Sequence, residues 1–185
     1  RMKKQLTDLI TTLGLTVKNE HLIQNAFVHR SYLNESKEFD NSNERLEYLG
    51  DAVLELVMTE ELFKRFPGKE EGELTIYRAG VVNTKNLASV ASEISLPEKI
   101  LLSRGEAKSF AGRSRESISA DAVESLIGAL YIDQGYEVAK KFIDKFIVPG
   151  LDKVTKEGGK DPKSLVQEIA QSEYKITPSY KVLEE

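Results

Sequence analysis

Residues 42–66 read as one helix whose core stretch is NERLEYLGDAVLELVMTEEL, with Glu44, Glu47 and Asp51 at i, i+3 and i+7. At about 100° per residue these carboxylates fall within roughly a 60° arc. The remaining faces are apolar, through Leu46, Leu49, Ala52, Val53, Leu54, Leu56, Val57 and Met58, and a helix of that kind is usually buried. Stacked like charges cost about 0.2–0.5 kcal/mol each when exposed and several kcal/mol per unpaired ion when buried. A divalent cation offsets that cost, and an oxygen-only set selects Mg²⁺, Mn²⁺ or Ca²⁺. The competing reading is a solvated face on which Arg45 and nearby lysines neutralise the acids.

A second apolar helix, about residues 116–133, carries Asp121 and Glu124 at i, i+3 among Ile118, Ala122, Val123, Leu126 and Ile127. Two buried helices, each with inward carboxylates, make a four-acid oxygen cage of the kind helical bundles use for metals. Glu55, a turn beyond Asp51, reads as a surface or ion-pair residue. Glu70, Glu71 and Glu73 follow the Pro67-Gly68 stop and suit a helix N-terminus, although one of them could reach the metal. A carboxylate-only site suits phosphate chemistry, in which divalent ions orient and acidify water and neutralise an in-line transition state. It requires no histidine base and no nucleophilic side chain. One of the two histidines, His29, sits at a helix end and reads as a capping or packing residue.

The elements that position these acids are helical throughout. The patterning predicts a helix over 2–13 stopped by Gly14, then one capped by Asn19 and running to about 29. A polar loop over 31–41 leads into the long helix 42–66. Helices follow at about 73–82 and 84–94, then a mobile basic loop or short turn over 103–115, the helix 116–133 broken by Gly135, and a helix from 136 to 148. Residues 153–163 read as a linker, Asp161-Pro162 as the start of a helix to about 172, and 177–183 as a strand.

The length of 185 residues allows one domain of about 150 residues and a small appendage. No apolar run is long enough to span a membrane, and the first residues do not form a secretory signal. The absence of Cys excludes disulfides, thiolate nucleophiles and Cys metal sites. The net charge of −4, from 30 acidic against 26 basic residues, taken alone argues against a nucleic-acid partner.

The segment NERLEYLGDAVLELV closely resembles the signature of the ribonuclease III family of double-strand-specific endoribonucleases. HRSYLNE, FPGKEEGELT, VVNTKNLA, LLSRGE and ESISADAVESLIGALYID occur in the family's order and spacing, and the resemblance covers about residues 5–155. Tyr48 stands where the family more often has Phe. The resemblance implies an all-α endonuclease domain over residues 1–155, active as a homodimer with the signature helix at the dimer contact. It assigns Glu47, Asp51, Asp121 and Glu124 as the catalytic, metal-binding quartet, and Glu44 and Glu71 as accessory acids that hold waters or a neighbouring metal. The implied cofactor is Mg²⁺, with Mn²⁺ as a substitute. The implied reaction cuts one strand of double-stranded RNA per subunit, leaving staggered 5′-phosphate and 3′-hydroxyl ends, in cytoplasmic processing of ribosomal and messenger RNA.

After a linker at 156–161, residues 162–185 resemble the first helix and strand of the family's α+β double-stranded-RNA-binding domain. That helix normally lies in the RNA minor groove, and Ser164, Gln167 and Glu168 match its contact positions. The sequence ends inside the first strand, and about 24 residues cannot bury enough surface to fold alone. The tail is therefore expected to be frayed or packed only locally, and Arg1 before Met2 suggests a processed tag or an artificial boundary. RNA contact then falls to the catalytic domain, with Arg104, Lys108, Arg113 and Arg115 of the basic loop, Asn83 and Lys85 as candidates. Lys140, Lys141, Lys145, Lys153 and Lys156 read as a solubilising face. Two rival readings remain at this stage: a double-stranded-RNA-binding or ribosome-associated member that does not cut, and a helical nucleotide pyrophosphohydrolase with paired acidic helices around Mg²⁺.

Overall fold

The computed structural model describes residues 10, 11, 14 and 16–157. Most of the expected first helix and the expected helix and strand of the tail, including Ser164, Gln167 and Glu168, lie outside the described residues. Among the described residues the helices are α1 (Glu20–Asn25), α2 (Glu44–Arg65), α3 (Glu71–Val81), α4 (Thr84–Glu93), α5 (Arg104–Ser109), α6 (Gly112–Gln134), α7 (Tyr136–Phe146) and α8 (Gly150–Glu157). Short 3₁₀ turns occupy Arg30–Asn34 and Pro97–Lys99. No strand occurs among these residues; Val28 and Leu101 form one isolated parallel bridge. The expected all-α fold class is what the chain adopts.

Helix α6 is the axis of the core. Ala122, Val123, Ser125, Leu126, Ile127, Ala129 and Leu130 are almost completely buried, as a helix apolar on every face must be. Helix α2 packs on it most extensively, followed by α4 and α7. Leu54, Val57, Met58 and Leu62 of α2, Leu87 and Ala91 of α4, and Phe142 and Ile143 of α7 complete the interior. Each large apolar side chain buried there contributes about 1.5–3 kcal/mol. The opposite face of α2 is apolar yet open: Tyr48 is 84% exposed, Leu56 54% and Phe63 72%, with exposed Ala52 on the same stripe.

Three expectations need correction. Asn19 does cap α1, its side chain accepting from the Leu22 N–H at 3.1 Å, but the helix ends at Asn25 instead of about 29. Phe27 and His29 instead pair with Leu101: Leu101 N–H donates to the Phe27 carbonyl and His29 N–H to the Leu101 carbonyl. The basic stretch 103–115 is not a loop. Ser103 caps α5 by accepting from the Glu106 N–H at 3.1 Å, and Gly112, at φ +53°, opens α6. The stretch expected to begin the linker is helical through Glu157. Leu151 is fully buried, and Val154 lies against Gly80 of α3, where a Cβ would come within 2.8 Å of it.

Candidate metal centre

Helices α2 and α6 approach backbone to backbone because a glycine stands on each at the contact. A Cβ on Gly50 would lie 1.7 Å from the Glu124 carbonyl oxygen, and one on Gly128 would lie 2.2 Å from the Leu46 carbonyl oxygen. Glu47 precedes Gly50 by three residues, one helical turn before the contact, and the Glu124 backbone is itself the surface that Gly50 meets. Asp121 lies a further turn back on α6.

The result is a compact acid trio. One carboxylate oxygen from each of Glu47, Asp121 and Glu124 lies within 4.8 Å of the others, and all three residues are partly buried. Their ionisation reflects this crowding. Burial first, then the charges of Asp121, Glu44 and Asp51, push Glu47 up to about 7. Burial pushes Asp121 up to about 6. Burial, followed by Asp51, Asp121, Glu47 and Glu55, pushes Glu124 up to about 8. Every neighbouring charge named here is negative. Acids pushed up by burial and by one another fit a hard divalent ion, which takes oxygen donors and favours their ionised form. The described residues could therefore hold such a metal.

The other expected site residues occupy distinct positions. Asp51 is exposed and outside the close trio, though its charge acts on both glutamates. Glu44 accepts from the Ser42 hydroxyl at 2.8 Å and faces Arg30 at 3.8 Å. Glu71 is the exposed first residue of α3; the capping box of that helix is built by Glu70 and Glu73 instead. Glu55 is ion-paired as expected, with Arg78 Nε 3.0 Å from it. His29 acts as a cap, its ring nitrogen accepting from the Ser31 N–H at 3.3 Å, and burial chiefly lowers its pKa.

Among the RNA-contact candidates, Asn83 is committed to structure: its side chain accepts from the Asn86 N–H and donates to the Ala79 and Gly80 carbonyls. Arg115 pairs with Glu98 at 3.4 Å and lies over the Phe110 ring. Lys85, Arg104, Lys108 and Arg113 are exposed. The start of α5 is anchored, with Ser103 N–H donating to the Ser31 hydroxyl at 3.1 Å and Arg104 N–H to Glu35 at 3.0 Å.

Four residues of this region were not singled out from the sequence: Gly50, Gly128, Asn43 and Ser125. The glycines carried a readable signal, since glycine inside an apolar helix marks a close approach. Asn43 is buried, donates its side-chain amide to the Ala26 carbonyl at 3.3 Å and its N–H to the Val28 carbonyl at 2.8 Å. Nothing in its residue type announced that.

With this geometry in place, similarity to known proteins decides the family. A profile of the family described as Ribonuclease-III-like matches residues 19–151. The chain belongs to the ribonuclease III family. It is 42% identical over 181 residues to Ribonuclease 3 of Borreliella afzelii, a match covering 97% of this chain and 74% of that one. Ribonuclease 3 of Chloroflexus aurantiacus is 41% identical over 187 residues, covering 100% of this chain and 76% of that one. Among solved structures, the nuclease domain of ribonuclease III from Campylobacter jejuni, noted for flexibility in a region involved in dimer formation, superposes with a TM-score of 0.69 at 38% identity. That superposition covers 77% of this chain and 95% of that one. Giardia Dicer, at 20% identity and a TM-score of 0.63 over 80% of this chain and 20% of that one, shares the fold. As a member of this family the chain is an endoribonuclease.

Proposed function

We propose that this chain hydrolyses phosphodiesters in double-stranded RNA with Mg²⁺, or Mn²⁺ in its place, leaving staggered 5′-phosphate and 3′-hydroxyl ends. The observation that carries this reading is the trio Glu47, Asp121 and Glu124, three carboxylates within 4.8 Å on two helices in a chain of this family. The family name of its relatives and the oxygen-only chemistry of the trio support the same substrate class.

In this reading Glu47, Asp121 and Glu124 hold the cation, and Asp51, exposed beside them, completes the quartet at the solvent edge. A divalent cation bound there would lower the pKa of water and neutralise charge gathering on the scissile phosphate. The residues themselves do the positioning. The close contact at Gly50 and Gly128 fixes Glu47 against Glu124, and the half-buried setting strengthens their charge interactions. Glu44, tied to Ser42, and Glu71, at the start of α3, serve as outlying acids that hold water. Exposed Arg104, Lys108, Arg113 and Lys85 contribute phosphate contacts, with Arg115, which is already paired to Glu98, available in part. Ser164, Gln167 and Glu168 supply groove contacts from the RNA-binding segment at 162–185, joined to the catalytic residues 1–155 through residues 156–161, the first two of which extend α8.

The working form is a homodimer. Tyr48, Ala52, Leu56 and Phe63 form an exposed apolar stripe along α2, and patches of that kind mark association surfaces. A closed two-fold pair uses one such patch on both subunits. Leu56→Glu is expected to give a monomer by light scattering, while an unchanged dimer would exclude this stripe. The biological role in this reading is cytoplasmic processing of ribosomal and messenger RNA precursors. The test of the activity is incubation with a long RNA duplex, with and without Mg²⁺, followed by analysis of the product ends. Intact duplex in the presence of Mg²⁺ and Mn²⁺ would refute it.

A further inference from the structure

The acid trio is contributed by two helices, so its spacing depends on how their backbones are locked together. The glycine contact is one such lock. Next to it in the chain, the fully buried Ser125 hydroxyl lies 2.7 Å from the Asp121 carbonyl oxygen and 3.3 Å from the Asn43 carbonyl oxygen. Its single proton is shared between the two carbonyls in a three-centre bond. Each carbonyl belongs to an acid-bearing turn. The first is that of Asp121 itself. The second, that of Asn43, accepts the Glu47 N–H at 2.9 Å.

We propose that Ser125 is a positioning residue: its hydroxyl bridges the Asp121 turn of α6 to the Glu47 turn of α2 and sets the spacing of their carboxylates for a divalent cation. The inference rests on the proposed metal-site reading of the trio. Alanine at 125 would keep the helix and most of the packing while removing the bridge. A hydroxyl elsewhere on the same helix provides the comparison. Ser119 is also buried, and its Oγ has no hydrogen-bond partner, so removing it deletes the same atom without a bridge.

The experiment measures Mn²⁺ binding to the intact protein by electron paramagnetic resonance, well below the melting temperature, for the wild type and the Ser125→Ala, Ser119→Ala and Asp121→Asn variants. Loss of a group that orients metal ligands typically weakens binding by about 10–100-fold. Ser125→Ala is therefore expected to raise the Mn²⁺ dissociation constant roughly tenfold, and Ser119→Ala to leave it within about twofold of wild type. A Ser125→Ala variant that melts at a lower temperature but binds Mn²⁺ as tightly as wild type would overturn the positioning role, as would equal weakening by both serine variants. If Asp121→Asn binds Mn²⁺ like wild type, the metal-site reading itself is wrong, an outcome distinct from failure of the serine bridge alone.

Discussion

The two halves of α2 treat their carboxylates in opposite ways. Toward its C-terminal end each acid has a partner supplied by the protein. Arg78 faces Glu55, Arg65 pairs with Glu61 at 2.8 Å, and Glu60 accepts from the Tyr136 hydroxyl at 2.6 Å. That hydrogen bond, with help from Lys64, holds the Glu60 carboxyl below its ordinary range. Toward the N-terminal end Glu47 meets only burial and other acids, and its pKa rises. One helix thus carries a half whose acids are all partnered within the fold and a half in which Glu44 alone is partnered, by Arg30 and Ser42, while Glu47 is crowded by other acids. The difference separates acids partnered on the surface of the fold from acids crowded against one another, a distinction the net charge of −4 averages away.

The largest expected effects come from the unbalanced half. Glu124→Gln should lower duplex RNA cleavage by at least about a hundredfold, because it removes a carboxylate of the proposed metal site. The same change should raise the melting temperature of the metal-free protein at pH 8, since a crowded half-buried charge disappears. A variant that loses both activity and stability would mean that Glu124 mainly supports the fold. Gly50→Ala comes next. Its Cβ would collide with the Glu124 backbone, costing about 3 kcal/mol, the upper end for overpacking, measurable as a shifted urea midpoint or loss of folded protein.

The pH dependence sharpens the contrast further. A carboxyl whose pKa is higher folded than unfolded binds more protons in the folded state, so its folded form loses stability as pH rises. For Glu47, Asp121 and Glu124 the loss begins near the ordinary carboxylate range of about 4 and is complete above about 8, the highest of the three values. The metal-free protein should therefore melt at a lower temperature at pH 8 than at pH 5 in differential scanning fluorimetry. Saturating Mn²⁺, which prefers ionised ligands, should narrow or reverse that difference. The smallest effect belongs to the balanced half. Arg78→Ala breaks a partly exposed pair and should cost no more than about 1 kcal/mol, with cleavage reduced far less than by Glu124→Gln.

Much of this contrast was legible in the sequence. The spacing of Glu44, Glu47 and Asp51, and of Asp121 and Glu124, within apolar helices pointed to inward acids; the structure brings Glu47, Asp121 and Glu124 together and leaves Glu44 and Asp51 exposed. The surface role expected for Glu55 is the one it has. What escaped was set by tertiary contact. Helix α1 ends early because Phe27 and His29 bond to Leu101, some 70 residues away. The polar stretch after Pro149 stays helical because Leu151 and Val154 dock on the core. Composition alone made 103–115 look like a loop, whereas the Ser103 cap turns part of it into a helix. The bridging role of Ser125 depends on a carbonyl from another helix, which no local pattern records.

The central claim, that a divalent cation balances the acids of the N-terminal half of α2 and its partner helix, is tested most directly by crystals grown with Mn²⁺ and measured for anomalous scattering. The account predicts a peak coordinated by Glu47, Asp121 and Glu124, with Mn–O distances of about 2.0–2.3 Å. Well-ordered crystals at saturating Mn²⁺ with no peak among those three carboxylates would contradict it.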